Sequence, residues 1–132
     1  MEKSIEMYKD LRNKDLRDIV LEGKDCVGVD MQHSNLSGMD LRKTKFGKEL
    51  ETIEFGTGWK DLARMNGETN LSYANLSDSN CQDTDFSFSN LETANLVGAY
   101  CVGANFYGAN MNDAEVFGMT IDDGEGKEYV LK

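Results

Sequence analysis

The sequence has no proline, a single tryptophan, a single histidine and three cysteines among its 132 residues. The lack of proline suits a long regular backbone without kinks. No apolar run approaches the ~18 residues that a membrane-spanning helix needs, and no stretch resembles the apolar core of a secretion signal. With 39% hydrophobic residues and a mean hydropathy of -0.53, we expect one soluble, cytoplasmic domain that does not contact a membrane.

The few side chains with catalytic or metal-binding chemistry are dispersed. His33 falls at a predicted outward turn position, without a nucleophile or carboxylate grouping around it. Cys26, Cys81 and Cys101 fall at predicted interior positions, and their spacing matches no zinc motif. We therefore expect no catalytic residue, no metal site and no cofactor, in a protein that is not an enzyme.

Basic residues are missing from half of the chain. Residues 1–64 hold 12 Lys and Arg against 13 Asp and Glu, whereas residues 65–126 hold ten acidic residues and no basic one. Nearly all of the formal net charge of -10 therefore belongs to the second half of the sequence.

A strict period of five residues runs from residue 70 to residue 122. Because this period fits neither an isolated helix nor a flat strand, the segment is a repeat array. Each repeat has a bulky apolar residue whose number ends in 1 or 6, and the nine from Leu76 to Val116 have a small residue two positions earlier. The bulky series is Leu71, Leu76, Cys81, Phe86, Leu91, Leu96, Cys101, Phe106, Met111, Val116 and Ile121. Glycine or polar residues in between suit a tight turn in every repeat.

This unit resembles that of the pentapeptide-repeat family, which is written A-(D/N)-L-x-x. The resemblance implies an all-β fold, a right-handed quadrilateral parallel β-helix. Eighteen repeats between residues 15 and 122, at four per coil, predict about four and a half coils.

The upstream repeats are less regular. The five-residue frame, meaning the positions whose numbers end in 1 or 6, includes in this part Leu16, Leu21, Cys26, Met31, Leu36, Leu41 and Phe46. There Lys14 and Lys24 occupy the small position, and burying an unpaired ammonium group is costly. Residues 15–46 are therefore predicted to form irregular first coils, of which the first is distorted or open.

Residues 47–69 break the repeat and are predicted to form an inserted loop. Phe46 and Leu71 remain a multiple of five residues apart. If the loop replaces one corner of a four-sided coil, Phe46, Phe86 and Phe106 stack on one face, and Cys81 and Cys101 stack on another. The coil is then continuous across the loop.

The ends of a short solenoid need to be covered, because terminal strands expose unpaired backbone. Ile5, Tyr8 and Leu11 recur at helical spacing after a cap at Ser4, which predicts a short capping helix within residues 1–14. The tail, residues 123–132, contains apolar residues that either close the other end or join a neighbouring subunit: Tyr129, Val130 and Leu131.

The acidic half of the coil predicts the kind of partner. Seven carboxylates lie within eleven repeats, or ~13 Å of coil axis, and duplex DNA carries about eight charges over that length. Direct binding of nucleic acid is therefore disfavoured, whereas competition with nucleic acid for a basic protein is physically reasonable. The residues predicted to form the acidic binding surface are Asp78, Asp83, Glu92, Asp113 and Asp122.

The family resemblance points the same way. Some pentapeptide-repeat proteins, including the fluoroquinolone-resistance ones, are acidic rods that look like DNA to type II topoisomerases, and several carry loops that project from the coil. Those rods are usually longer and dimeric. In this chain the acids either mimic DNA or only keep a repeat protein soluble.

Two apolar groups are further candidates for binding. The loop contains Trp59, Phe55 and Ile53, which either anchor a partner or fold back onto the coil. Val97, Val102, Tyr107 and Phe117 are predicted to point outward near the C-terminal end, where they either form a homodimer interface or are covered by the tail.

Two classes of function follow. In the first, the protein is a DNA mimic that binds a nucleic-acid-binding enzyme, such as a type II topoisomerase. In the second, it is a scaffold or adaptor that binds a partner protein through its apolar end and its inserted loop. The salt dependence of partner binding separates the two classes, because ions screen the exposed charges on which a DNA mimic depends.

Overall fold

The structure, a computed structural model, describes residues 10–47 and 69–132, which form a four-sided β-helix. Parallel bridges join residues twenty apart, as between Asn70 and Asn90, or forty apart where the insertion intervenes, as between Asn35 and Asn75. Face A contains the bridges of residues 10, 30, 70, 90 and 110; face B those of 15, 35, 75, 95 and 115; face C those of 40, 80, 100 and 120; and face D those of 25, 45, 85 and 105. The coils, in order, are residues 10–29, 30–47, 69–89, 90–109 and 110–122.

The coil is continuous across the insertion, as the register predicted. Asp30 forms a parallel bridge with Asn70, and the N–H of Met31 donates to the carbonyl of Asn70 at 2.7 Å. The rings of Phe46 and Phe86 stack with centroids 5.3 Å apart, and Phe86 stacks on Phe106 at 5.0 Å. The predicted column of phenylalanines on face D is therefore confirmed.

The core consists of the bulky and small columns of the repeat. Phe46, Leu76 and Leu96 are fully buried, and so are Ala74 and Ala94 between them. Where the small position holds threonine, the hydroxyl bonds to the backbone of the coil: Thr44 donates to the Leu21 carbonyl at 2.7 Å, and Thr84 to that of Leu41 at 2.5 Å. These hydrogen bonds offset most of the free energy that is needed to bury a threonine hydroxyl in the core.

Most corners of the described coil are tight turns with a left-handed residue at the third position, and the turn at residues 16–19 is an exception, since Asp18 has no positive φ. In the turn from Leu71 to Ala74, the N–H of Ala74 donates to the Leu71 carbonyl at 3.0 Å, and Tyr73 has a φ of 61°. This is the position at which type II turns require a positive φ. Where asparagine or aspartate precedes the bulky residue, it supports the turn, since its side-chain oxygen accepts the N–H two residues on; Oδ1 of Asn75, for example, accepts the N–H of Ser77 at 3.0 Å.

The first coils are more regular than the sequence suggested. Asp15 bridges Asn35 and Asp25 bridges Lys45, so coil 1 keeps its register on faces B and D. Lys14 is exposed and Lys24 half-buried, so neither lysine occupies the core. The irregularity is confined to residues 17–20 on face C, where no bridge forms and the side chains of Ile19 and Val20 are exposed.

The prediction of a capping helix within residues 1–14 was wrong for residues 10–14, which belong to coil 1. Leu11 belongs to the coil: it is 3% exposed, and its N–H donates to the Asp30 carbonyl at 2.7 Å. Position 11 satisfies both the helical spacing and the frame of five, and the frame prevails because it buries the side chain against coil 2. Ser4, Ile5 and Tyr8 lie outside the described residues, and the described ranges contain no helix.

Two strands close one side of the C-terminal end. Strand β1, Thr120–Asp122, continues face C, and strand β2, Glu128–Val130, returns beside it in an antiparallel pair. Leu131 follows β2 and packs against the core. Its N–H donates to the Met119 carbonyl at 2.9 Å. The tail therefore covers the coil at face C.

Candidate protein-binding surfaces

The five predicted acidic residues lie at the corners of coils 3 to 5. Glu92 and Asp113 lie at the corner between faces A and B, Asp78 at the next corner, and Asp83 and Asp122 at the corner between faces C and D. None lies at the fourth corner, which carries the insertion and the aromatic rings of Phe88 and Tyr107. The acidic surface, defined by these five residues, therefore surrounds faces B and C.

Backbone conformation contributes to the choice of aspartate at these corners. Asp78, Asp83 and Asp113 have φ values of 57°, 58° and 59°. Aspartate adopts this left-handed conformation more readily than most residues. Glycine in the next coil leaves room for the carboxylates, because a Cβ at Gly98 would lie 2.3 Å from Oδ1 of Asp78. These acids thus fulfil a structural requirement of the turn as well as providing charge.

Asp122 differs from the other four acids because its carboxylate is engaged. Oδ1 accepts the N–H of Gly103 at 2.8 Å, and Oδ2 accepts the N–H of Gly124 at 3.1 Å. Nearby, the hydroxyl of Tyr100 donates to Glu128 at 2.5 Å, and this bond raises the pKa of Tyr100. The carboxylate of Asp122 therefore links the hairpin of β1 and β2 to Gly103 of coil 4.

Arginines of the first two coils are paired within their own repeats. Arg12, Arg17 and Arg42 bond to the aspartate two residues earlier, with N to O distances of 2.9, 2.7 and 2.6 Å. Hydrogen bonds from these guanidinium groups lower the pKa of Asp10, Asp15 and Asp40 from 3.8 to about 2. Coils 1 and 2 are thus locally neutralised, and the negative potential is confined to coils 3 to 5.

The predicted loop residues Trp59, Phe55 and Ile53 lie outside the described residues. Both ends of the insertion are fixed to the coil. The N–H of Gly47 donates to the Asp85 carbonyl at 2.9 Å, and a Cβ at Gly47 would lie 1.8 Å from the Ser87 carbonyl oxygen. At the other end, Oγ1 of Thr69 accepts the N–H of Gly28 at 2.8 Å. The insertion therefore leaves and re-enters at one corner.

The four predicted apolar interface residues are divided among three corners. Val97 and Phe117 are neighbours in adjacent coils, where the N–H of Gly98 donates to the Phe117 carbonyl at 3.0 Å. Val102 and Tyr107 lie at the next two corners, and Tyr107 packs edge-on against Phe88. Phe117 is 68% exposed and Tyr107 is 73% exposed, so the tail does not cover these two side chains.

The side chains of the histidine and of the three cysteines take part in the packing of the coil. His33 stacks on Tyr73 of the next coil with centroids 4.7 Å apart. Cys26, Cys81 and Cys101 are buried free thiols, and burial raises the pKa of Cys26 to about 12. No group of His, Cys, Asp or Glu within residues 10–47 and 69–132 could hold a metal ion.

Two features of the surface were missed from the sequence. The three Asp-Leu-Arg triplets that neutralise coils 1 and 2 were visible at residues 10–12, 15–17 and 40–42 as a signal for local ion pairs. The incomplete burial of the core at the C-terminal end, where Phe106, Met111 and Val116 are only partly buried, had no such signal, because each of these residues belongs to a regular repeat.

A four-sided β-helix with a five-residue unit defines the class of protein. Residues 10–47 and 84–116 match the sequence profile of the pentapeptide repeats in eight copies, which together cover more than half of the chain. The chain belongs to the pentapeptide-repeat family, whose members form right-handed β-helices.

Solved structures of this family share the fold. The chain is similar to HetL, a pentapeptide repeat protein involved in heterocyst differentiation regulation from the cyanobacterium Nostoc sp. strain PCC 7120, with 25% identity, a TM-score of 0.60 and coverage of 88% of this chain. It covers 48% of HetL and therefore spans about half of that protein's length. No curated protein matches the chain.

Two further structures match at lower identity. A pentapeptide repeat protein from the Arabidopsis thaliana thylakoid lumen is 20% identical with a TM-score of 0.53, over 86% of this chain and 68% of that one. Rfr23 from the cyanobacterium Cyanothece 51142 is 20% identical with a TM-score of 0.51, over 90% of this chain and 91% of that one. These similarities concern the fold alone. Within the described ranges, no helix is long and apolar enough to cross a membrane.

Proposed function

We propose that this chain is a non-enzymatic, cytoplasmic protein-binding module whose acidic surface occupies a basic protein site that otherwise holds nucleic acid. The observation that carries the proposal is the separation of charge along the coil. Residues 65–126 contain no Lys or Arg, and the arginines of coils 1 and 2 are held by their own aspartates. A type II topoisomerase is the first target to test, because the sequence resembles acidic rods that act on such enzymes.

The physical mechanism is electrostatic steering followed by short-range contact. Carboxylates on three corners produce a negative potential around faces B and C, which accelerates encounter with a basic groove. Asp78, Asp83 and Asp113 are exposed and make no ion pair within the described residues, so their charge is available to a partner.

The test is a supercoiling assay with purified DNA gyrase, in which the protein either inhibits the enzyme or protects it from a fluoroquinolone. We expect the effect to weaken between about 0.05 and 0.2 M salt, because exposed charges are screened. The triple variant Asp78→Asn, Asp83→Asn and Asp113→Asn keeps residues that tolerate a positive φ and should lose the effect. If neither inhibition nor protection is seen, gyrase is the wrong target.

A scaffold function is the second candidate, and one observation favours it. Phe106, Met111 and Val116 at the C-terminal end of the core are only partly buried. An adaptor would bind its partner through this end and through the insertion, with Trp59 as an anchor, or would form a homodimer. Its binding would persist at high salt and would be insensitive to the three asparagine substitutions.

A further inference from the structure

The two ends of the β-helix differ in how well the core is covered. In coil 1, the bulky residues Leu11, Leu16 and Leu21 are between 1% and 3% exposed. The corresponding residues of the last coil, Met111 and Val116, are partly exposed. Apolar interior surface is thus accessible at the C-terminal end.

The same end has unpaired backbone groups. In coil 4, the N–H of Leu91 donates to the Asn110 carbonyl and that of Leu96 to the Glu115 carbonyl, both at 2.8 Å. The next N–H groups in this series find no acceptor among the described residues; they belong to Phe106, Gly108, Met111, Asp113 and Val116. Such an edge is a template for a further strand.

The hairpin closes only one of the four faces. Strand β2 pairs with β1 on face C, with Ile121 opposite Tyr129. Because directly opposed residues of an antiparallel pair point to the same side, Tyr129 lies on the inner side with Ile121. Leu131 packs on the core from this side. Strand β2 therefore covers the core at face C, and the core at the other faces of the C-terminal end stays partly exposed.

Charge decides between the occupants of this end. Residues 105–132 contain six carboxylates against two lysines. A second copy placed tail to tail would oppose two surfaces of the same sign, which is unfavourable, and one placed head to tail would meet the nearly balanced charges of coil 1 and gain no electrostatic attraction. A basic segment would instead meet the carboxylates around this end of the coil and the apolar side chains of the partly exposed core.

We propose that the C-terminal end of the coil is a docking surface for a basic segment of a partner protein, which pairs as a strand along face A, turns at the corner beside Asp113 and pairs again along face B. Carbonyl groups of the segment accept the N–H groups of Met111, Asp113 and Val116, and its apolar side chains cover the exposed core. The proposal rests on a protein-binding function but not on topoisomerase as the target.

A synthetic peptide of alternating lysine and valine, carrying a fluorophore, is the probe. Anisotropy with the full chain should show binding that is at least about tenfold weaker for the glutamate and valine counterpart, since like charges oppose it. A lysine and valine peptide in which every amide is N-methylated should also bind at least about tenfold more weakly, because the methyl groups hinder strand pairing on both edges and remove its N–H donors. Hydrogen exchange should slow in residues 105–118 and not in coil 1.

Met111→Lys is the variant that should abolish peptide binding, and Val20→Lys is its control, because Val20 is exposed at the other end. The N-methylated peptide tests the proposal on the wild-type chain, even if Met111→Lys fails to fold. No binding, equal binding of the methylated peptide, or protection elsewhere would overturn it. A stable dimer that excludes the peptide would show that a second copy is the occupant and would overturn it too. A negative gyrase result leaves this outcome unchanged, which separates the two proposals.

Discussion

Phe46 and Phe86 stack nearly parallel, with ring centroids 5.3 Å apart and planes at 12°, although the insertion lies between them in the sequence. The contact shows that coils 2 and 3 are direct neighbours. Phe86 also stacks on Phe106 and is therefore the centre of the column on face D.

Truncation of this central ring is expected to be strongly destabilising. Phe86→Ala should lower the free energy of unfolding by about 3–5 kcal/mol, the range for buried phenylalanine. Phe117→Ala, at a side chain that is 68% exposed, should change it by no more than about 0.5 kcal/mol. Denaturant titration measures both values, and equal losses would contradict the register.

Removal of the insertion should leave the β-helix folded. Deleting residues 49–68 and replacing Lys48 with glycine restores the spacing of five between Phe46 and Leu71. Because the bridge between Asp30 and Asn70 does not depend on the loop, we expect an unchanged circular dichroism spectrum and cooperative melting. Loss of cooperative melting would show that the loop is part of the core.

Two serines at interior small positions should respond to alanine in opposite ways. Oγ of Ser34 is buried without a hydrogen-bond partner among the described residues, whereas Oγ of Ser79 donates to the Leu76 carbonyl at 2.6 Å. Ser34→Ala should raise the free energy of unfolding by up to about 1 kcal/mol, and Ser79→Ala should lower it by about 0.5–1.5 kcal/mol. A loss at Ser34 as large as at Ser79 would reveal a missing partner.

Acid sensitivity should depend on the three arginine pairs. The pKa values of Asp10, Asp15 and Asp40 fall from 3.8 to about 2 in the folded chain. Their stabilising contribution is therefore complete above pH 3.8 and is lost as the pH falls through about 2.

The triple variant Arg12→Gln, Arg17→Gln and Arg42→Gln should consequently lose stability at neutral pH and have a flatter pH dependence between those two values. Lys43→Gln, at an exposed neighbouring position, is the control. Thermal melting across the acid range measures the effect. A pH dependence that is identical in both variants would mean that the pairs do not stabilise the fold.

The sequence predicts the fold well because its period of five identifies a repeat array and its unit resembles a known family. The phenylalanine column followed from the four-sided coil that this resemblance implies, together with counting of the repeats. Leu11 was misassigned because helical spacing and the frame coincide at that position. The open C-terminal end could not be predicted, because the burial of a repeat depends on what lies beyond it in space. The role of the asparagines required hydrogen-bond geometry that spacing does not provide.

The five acidic residues lie at corners of the coil, but spacing does not predict which of their carboxylates are engaged. Asp122 belongs to the repeat in sequence, yet its carboxylate holds Gly103 and Gly124. Asp78 and Asp83 are exposed, and their left-handed backbone gives aspartate a structural reason to be there. Charge and turn geometry therefore coincide, and only a substitution that keeps the turn can separate them.

Displacement of duplex DNA from gyrase is the measurement that tests the central claim most directly. Asp18→Asn is the control for Asp78→Asn, because both positions lie at the corner between faces B and C, one in the acidic half and one in coil 1, although only Asp78 has a positive φ. With fluorescent DNA bound to the enzyme, the wild-type chain and Asp18→Asn should displace it equally. Asp78→Asn should displace it less well, and the triple asparagine variant should associate at least roughly tenfold more slowly. Equal displacement by all four proteins would contradict DNA mimicry, and so would none.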